Sequence, residues 1–418
     1  MRISVLGLGY IGLPTALLFA SAGYNVVGVD VNDKKVKLLN DGKLPFQEPG
    51  LEELFEKAKQ NFKATTEVEE SDVFLIAVPT PLDEKTKAAD LRYVRSASEM
   101  IVPHLRKENL VILESTVPPK TTERLLIPIL EKSGLKAGKD FHVVHCPERA
   151  IPGKTIHEMI YNDRIIGGIT KESAELAKEL YSSFVKGNIY ITDATTAEFV
   201  KLIENTYRDV NIALVNELAQ IAEEYGINIW EAIELANRHP RVNLHKPGPG
   251  VGGHCIAIDP WFLIQDSSNG KMIALARHVN DTMPNYTLRR VREMLKGVDY
   301  PTITVFGVAY KGNVDDARET PALRFIRLAK NDGFKVKVYD PFVNEFEYPI
   351  LGLEEAVRDS DCIVVITDHD VFRFLDPDDI GKLMRNRCVF DARNVLDHEK
   401  WRRAGFKVRV LGDGKENL

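Results

Sequence analysis

Short apolar runs recur along the chain, each closed by Gly, Pro or Asp. Arg2-Ile-Ser-Val-Leu6 is the first and Tyr24-Asn-Val-Val-Gly-Val-Asp30 the second; Val73–Val78, Leu110–Leu113, Phe141–Val144 and Ile165–Gly168 follow. Runs so short and so uniformly apolar predict strands buried on both faces. Helix-like stretches lie between them, beginning with the apolar segment that opens at Gly12, reaches about Ala22 and is closed by Gly23. Strand–helix alternation predicts a mostly parallel sheet covered on both sides.

The pattern changes at about Thr195. Thr195-Thr-Ala-Glu198 has the form of a capping box, in which hydroxyl and carboxylate satisfy free N–H groups at a helix start. Helical periodicity then runs to Gly226 through Val200, Ile203, Tyr207, Val210, Leu214 and Leu218. At ~1.5 Å per residue this helix is about 45 Å long, which suits a link between domains, a dimer interface, or both. A shorter helix through Trp230–Asn237 and a Gly/Pro-rich loop at Pro247–Gly253 come next. Near Pro301 a second α/β pattern begins. Thr302–Gly307 reads as a strand, Pro321–Asn331 as a helix and Lys335–Asp340 as a strand ending in Asp, with further strands at Cys362–Thr367 and Cys388–Asp391. The predicted architecture is α/β: two Rossmann-like domains with parallel sheets, joined by a long central helix and helical connector domain. The boundaries fall at residues 1–194, 195–298 and 299–418.

Composition narrows the partners. The 418 residues carry a net charge of -6, which gives no encouragement to nucleic acid or an anionic membrane. No apolar run reaches the roughly 18 residues of a membrane-spanning helix, and the immediate strand leaves no room for a signal peptide. The four cysteines, Cys146, Cys255, Cys362 and Cys388, form no CxxC. A reduced, cytoplasmic protein is the expectation. Glutamine is scarce while Lys and Glu abound, a mix found in proteins from hot environments.

The strongest motif is Gly7-Leu-Gly9-Tyr10-Ile11-Gly12, between the first strand and its helix. Gly7 permits the tight turn, Gly9 lets backbone approach a pyrophosphate, and Gly12 allows close helix–sheet packing. The pyrophosphate would rest at the positive helix end. Asp30, ending the next strand, would accept from ribose hydroxyls and repel a 2′-phosphate, favouring NAD over NADP. The second motif is Pro247-Gly-Pro-Gly-Val-Gly-Gly-His-Cys255. Its glycines leave Cys255 without bulky neighbours, so this thiol is placed like a nucleophile. Cys362 and Cys388 read as core filler, and Cys146 could be either. His239, His245 and His254 lie near the loop, but no pair has a zinc-ligand spacing, so no metal is expected. Lys201, Asn205 and Arg208 share one face of the long helix. A lysine in a site of low polarity titrates nearer neutrality and can move protons. Val78-Pro-Thr80-Pro81 and Glu114-Ser-Thr116-Val-Pro-Pro119 follow strands, at the sheet edge where open α/β sheets bind ligands, and each offers an available hydroxyl. Near the C-terminus, Arg318 and Arg393 would each suit bidentate phosphate binding.

Together these motifs resemble the UDP-sugar 6-dehydrogenases, the family of UDP-glucose dehydrogenase, over essentially the whole chain. The likeness takes in GxGYxG, VPTP, ESTVPP, CPER, the helix with Lys201 and Asn205, GGxC, DDxRE(T/S)P and the late DxRN. Where UDP-glucose dehydrogenases usually read CxPKD, this chain has Cys255-Ile-Ala-Ile-Asp259-Pro-Trp-Phe, which looks like the branch acting on UDP-N-acetyl-D-mannosamine. UDP-N-acetylglucosamine and UDP-glucose are the alternative substrates. The resemblance implies a double oxidation at sugar C6 with two NAD+. Cys255 would hold the aldehyde as a thiohemiacetal and then a thioester. Lys201 would handle the O6 proton, Asn205 and a water held by Asp259 would assist, and Thr116 and Glu148 would order that water. It places NAD contacts at Tyr10, Ile11, Asp30, Lys35, Thr80, Thr116 and Arg318. UDP-sugar contacts fall at Arg149, Ala150, Lys201, Asn205, Arg208, His239, Arg241, Gly252, Tyr310, Lys311 and Arg393. A homodimer built on the central helix is implied, with Arg241 reaching the partner's site. Arg149, Lys201, Arg208, Arg241, Lys311, Arg318 and Arg393 are expected to gather as one positive field inside an acidic protein.

Overall fold

The structure is a computed structural model and describes residues 1–415. The chain forms two compact units. The first comprises Met1–Glu204 with Trp261–Ser267; the second comprises Asn205–Pro260 and the chain from Ser268 onward.

The first unit carries the strands β1 (Arg2–Leu6), β2 (Asn25–Val29), β3 (Phe62–Thr65), β4 (Val73–Ile76), β5 (Leu110–Leu113), β6 (His142–His145), β7 (Arg164–Gly168) and β8 (Ile189–Asp193). They form one eight-stranded sheet in the order β3-β2-β1-β4-β5-β6-β7-β8. Every pairing is parallel except β6 with β7. Order reverses between β1 and β4, and such a switch point opens a crevice at the strands' carboxyl ends. The runs VFLI of β4 and LVIL of β5 are buried throughout, as expected for central strands covered by helices on both faces. Alternate residues feed two cores: Ile3, Val5 and Leu75 on one face, Leu6, Phe74 and Ile76 on the other.

In the second unit, β9 (Thr302–Phe306), β10 (Lys335–Tyr339), β11 (Cys362–Val365), β12 (Cys388–Asp391) and β13 (Lys407–Val410) form an all-parallel sheet, β10-β9-β11-β12-β13. The fold is thus α/β with parallel-sheet Rossmann-like halves. The halves share a local plan: Gly7 and Gly307 both have positive φ, and each donates its N–H to the end of the neighbouring strand at 2.8 Å. They then diverge. The helix after Gly7 starts at Gly12, whereas the helix after Gly307 starts only at Pro321, leaving room for a long insert. Asp340 occupies the place of Asp30, but its carboxylate accepts from the N–H groups of Val308, Ala309, Phe342 and Val343 and from His369 Nε2.

The long helix is Ala194–Glu224, 31 residues. It does not open with the predicted capping box. Asp193 is the cap, accepting from Thr196 N–H at 2.8 Å and from its hydroxyl at 2.6 Å. Glu198 turns elsewhere and accepts from Thr122 N–H, the Thr122 hydroxyl and Lys120 N–H. A second long helix, Lys271–Met294, was not legible in the periodicity because Pro284 lies inside it. Among the described residues no helix is long and apolar enough to cross a membrane.

Candidate active site

In the first unit the dinucleotide turn is sterically built around absent side chains. A Cβ on Gly12 would lie 1.9 Å from Gly7 O, and one on Gly7 2.6 Å from Ala77 O. At Gly9 nothing lies within 4 Å, so that face of the turn is open. The helix Gly12–Ser21 receives no side-chain cap, which leaves its positive end for an anion. Asp30 accepts from Leu8 N–H (3.0 Å), Asn32 N–H (3.0 Å) and Lys35 Nζ (2.7 Å). A carboxylate has about four acceptor positions, so one remains for a ribose hydroxyl. Tyr10 is exposed and Ile11 half-buried beside this turn, with Tyr10 stacked at 4.3 Å on Phe46. These residues fit NAD. The Thr80 hydroxyl donates to Thr116 O at 2.7 Å and ties the two Pro-bounded loops together, which leaves its oxygen able to accept.

The CPER loop rests on a buried ionic network. Glu148 accepts from the N–H groups of Arg149 (2.7 Å) and Ala150 (2.8 Å) with one oxygen and from Arg164 (2.7 Å) with the other. Arg164 also lies 3.6 Å from Glu114, which accepts from the Thr15 and Tyr181 hydroxyls. Burial works to raise Glu148, but the Arg164 charge and the two N–H groups outweigh it and hold this carboxyl low. Burial, then the charge of Glu148, pushes Glu114 up to about 7. Cys146 belongs to the core: it is fully buried and burial pushes its thiol up to about 11. Arg149 pairs with both oxygens of Glu204. Lys201 is buried on the long helix, one turn before Asn205.

The second unit assembles a different cluster. Asn205 Nδ2 donates to Asp259 at 2.6 Å, and Asp259 N–H donates to Cys255 O at 2.9 Å, so Asn205, Asp259 and Cys255 are linked. Cys255 is exposed, Cys362 buried and Cys388 half-buried. Gly253 (φ +83) sits on the Tyr310 ring, where a Cβ would come within 2.9 Å, and its N–H donates to Arg318 O. Gly252 packs against Glu319 O. Burial, with the charges of Asp316 and Cys255, pushes the Tyr310 phenol up. Arg318 forms a bidentate pair with Asp316, and although burial works to raise Asp316, that pair keeps it low. Arg393 lies under Gly248, 2.7 Å from where a Cβ would be, and donates to Ile366 O. Arg208, Lys311, His239 and Arg241 are exposed; Arg241 N–H donates to His239 Nδ1. Burial, then Arg208, lowers His245. Arg208, Arg318 and Arg393 thus flank loop residues of one unit, while Arg149 and Lys201 belong to the other. Among the described residues no three His, Cys, Asp or Glu side chains are placed to hold a metal.

Three family profiles match in chain order. They are the NAD binding domain of the UDP-glucose/GDP-mannose dehydrogenase family over residues 1–185, its central domain over 195–282 and its UDP binding domain over 304–398. The chain belongs to this family. This UDP-sugar dehydrogenase is an oxidoreductase and its cofactor is NAD. It is 51% identical to the UDP-N-acetyl-D-mannosamine dehydrogenase of Methanococcus maripaludis, over 99% of this chain and 97% of the relative. The structure of UDP-D-ManNAc dehydrogenase from Pyrococcus horikoshii matches with a TM-score of 0.94 at 44% identity, covering 99% of this chain and 100% of that one. That of the UDP-N-acetyl-mannosamine dehydrogenase from Staphylococcus aureus matches with a TM-score of 0.89 at 42% identity, covering 99% and 98%.

Sequence reasoning about this UDP-sugar dehydrogenase missed Arg164 beneath the CPER loop, the ion pairing of Glu114 and Asp316, and the buried Asp209 and Asn216 of the long helix. For the last group a signal exists. Asp209 and Asn216 share a face with Asn205 on an otherwise apolar side of that helix, and polar residues there need partners.

Proposed function

We propose that the chain oxidises the C6 alcohol of UDP-N-acetyl-D-mannosamine to the carboxylate in two steps. The observation that carries the chemistry is an exposed Cys255 in a glycine loop, hydrogen-bonded through its backbone to Asp259, which Asn205 holds at 2.6 Å. The relatives' names support the choice of sugar. When bound, NAD+ supplies the hydride acceptor. The chain's part begins at the C6 alcohol, whose proton passes to Lys201 as the C6 hydride departs. The Cys255 thiolate then adds to the aldehyde: a C–S bond forms and the carbonyl pair moves to O6, which takes a proton. Loss of the second C6 hydride and the O6 proton leaves a thioester. Water, held by Asp259 with Thr116 and Glu148, adds to its carbonyl, and sulfur departs as thiolate. Each turnover consumes two NAD+ and one water and releases the carboxylate, two NADH and three protons.

In the same reading Gly7, Gly9, Tyr10, Ile11, Gly12, Asp30, Lys35, Thr80, Thr116 and Arg318 serve the cofactor. Glu148, Arg149, Ala150, Arg208, His239, Arg241, Gly252, Tyr310, Lys311 and Arg393 serve the sugar nucleotide. Residues 1–194, 195–298 and 299–418 act as cofactor, connector and sugar-nucleotide domains. The long helix exposes Phe199, Ile203, Tyr207, Leu214 and Ile221, an apolar stripe that supports a homodimer formed on this helix. A cytoplasmic location belongs to the same reading. The test is a panel of UDP-N-acetylmannosamine, UDP-N-acetylglucosamine and UDP-glucose with NADH counted per sugar. Two NADH from the first substrate alone is expected, and Cys255→Ser should abolish full turnover while staying folded. Undiminished formation of two NADH by that variant overturns the covalent route.

A further inference from the structure

Beneath the glycine loop of the second unit lies a chain of buried side chains with a fixed direction. Arg277 donates to Asp209 Oδ1 at 2.5 Å. Asn280 Nδ2 donates to the same oxygen at 2.8 Å and to Asp209 O at 3.0 Å. Asn280 Oδ1 accepts from Asn216 Nδ2 at 2.9 Å, and Asn216 Oδ1 accepts from Gly248 N–H at 2.8 Å. Asp209, Asn216, Asn280 and Arg277 are each at most 2% exposed. None of the four is itself assigned a role in the chemistry above.

The direction follows from the charged end. An ionised carboxylate only accepts, so Asn280 must turn its NH2 toward Asp209 and its oxygen toward Asn216. Asn216 must then present NH2 to Asn280 and oxygen to the loop, where a backbone N–H needs an acceptor. If either amide flipped, two like groups would meet. The loop has little slack elsewhere. Gly248 lies on Arg393, a Cβ on Gly250 would lie 3.4 Å from Asn280 O, and Gly253 lies on Tyr310. Fixing Gly248 therefore fixes the segment that delivers Cys255, seven residues on.

We propose that Asn216 and Asn280 are positioning residues for Cys255, and that Asp209, braced by Arg277, sets the direction of their amides. This rests on the reading of Cys255 as the nucleophile. The test, on the full chain, is the rate of Cys255 alkylation by iodoacetamide across a pH series, read by mass spectrometry, beside kcat and the KM for NAD+. Asn280→Asp sets two carboxylates face to face, and Asn216→Leu leaves the Gly248 N–H without its acceptor. Each should change the alkylation rate and lower kcat by about ten-fold or more with the KM for NAD+ unchanged. The exchange Asp209→Asn/Asn280→Asp keeps one carboxylate and the same direction at Asn216 but loses the donor to the residue-209 carbonyl, and should recover part of the loss. Wild-type alkylation and kcat in Asn216→Leu, or an exchange no better than Asn280→Asp alone, overturns the proposal. Full turnover by Cys255→Ser would instead overturn the nucleophile reading, while the alkylation series would still report the loop.

Discussion

Glu114→Gln isolates one buried proton. Glu114 is fully buried at the end of β5, where burial first and the charge of Glu148 second push its carboxyl from 4.5 up to about 7. Between those values the folded chain keeps the proton and the unfolded chain has lost it, so the folded state binds more protons. This contribution to stability is fully present below about pH 4.5 and is lost as pH rises to about 7. At about 1.4 kcal/mol per pH unit the loss comes to about 3 kcal/mol. Glutamine keeps the shape and has no proton to lose; its oxygen accepts from one of the Thr15 and Tyr181 hydroxyls, and its NH2 faces the other, which turns to accept. Thermal unfolding of the first unit, followed for both proteins from about pH 5 to about pH 8, measures the difference. The variant should gain on the wild type by about 3 kcal/mol across the range, about 6–12 °C for a unit of this size. Glu198, which burial also raises to about 7, titrates in both proteins and cancels. A difference that stays flat with pH refutes the placement of this proton.

Gly9→Ala meets nothing within 4 Å, so its melting temperature should stay at the wild-type value. NAD+ binding, measured by calorimetric titration, should nonetheless weaken about ten-fold or more, because the methyl intrudes where the pyrophosphate approaches. Gly12→Ala, with its Cβ 1.9 Å from Gly7 O, should lower the melting temperature as well as the affinity. Asn205→Ala removes the 2.6 Å hydrogen bond to buried Asp259, an interaction of about 1.5–3 kcal/mol. Steady-state assay should show kcat lower by about ten- to a hundred-fold with NAD+ affinity retained.

The parts legible in the sequence are those whose physics is local. Gly7, Gly12 and Asp30 sit in one strand–turn–helix–strand unit, so spacing alone placed them. Cys255 stood out because glycines cannot bury it. The edge strands β3, β8 and β13 escaped notice because only one side of an edge strand is paired, and FKAT, IYITD and KVRV mix polar with apolar residues. Thr195–Glu198 fitted the capping pattern, yet Glu198 found stronger donors in Thr122 and Lys120, more than seventy residues away in sequence. Arg164 and its pairing with Glu114 were hidden for the same reason: ion pairing across strands leaves no periodic trace. The resemblance to known enzymes supplied residue roles that spacing could not.

The occupied carboxylate of Asp340 bears on cofactor stoichiometry. Because the His369 ring and four backbone N–H groups saturate it, Asp340 has no acceptor position left for a ribose hydroxyl, and in the proposed reading the nicotinamide seat is the one beside Asp30. Under the proposed double oxidation, both hydrides then leave through that seat, and the spent carrier must be swapped in mid-reaction. The half-oxidised sugar has to wait out the swap, and a covalent tether on Cys255 keeps a free aldehyde from escaping meanwhile.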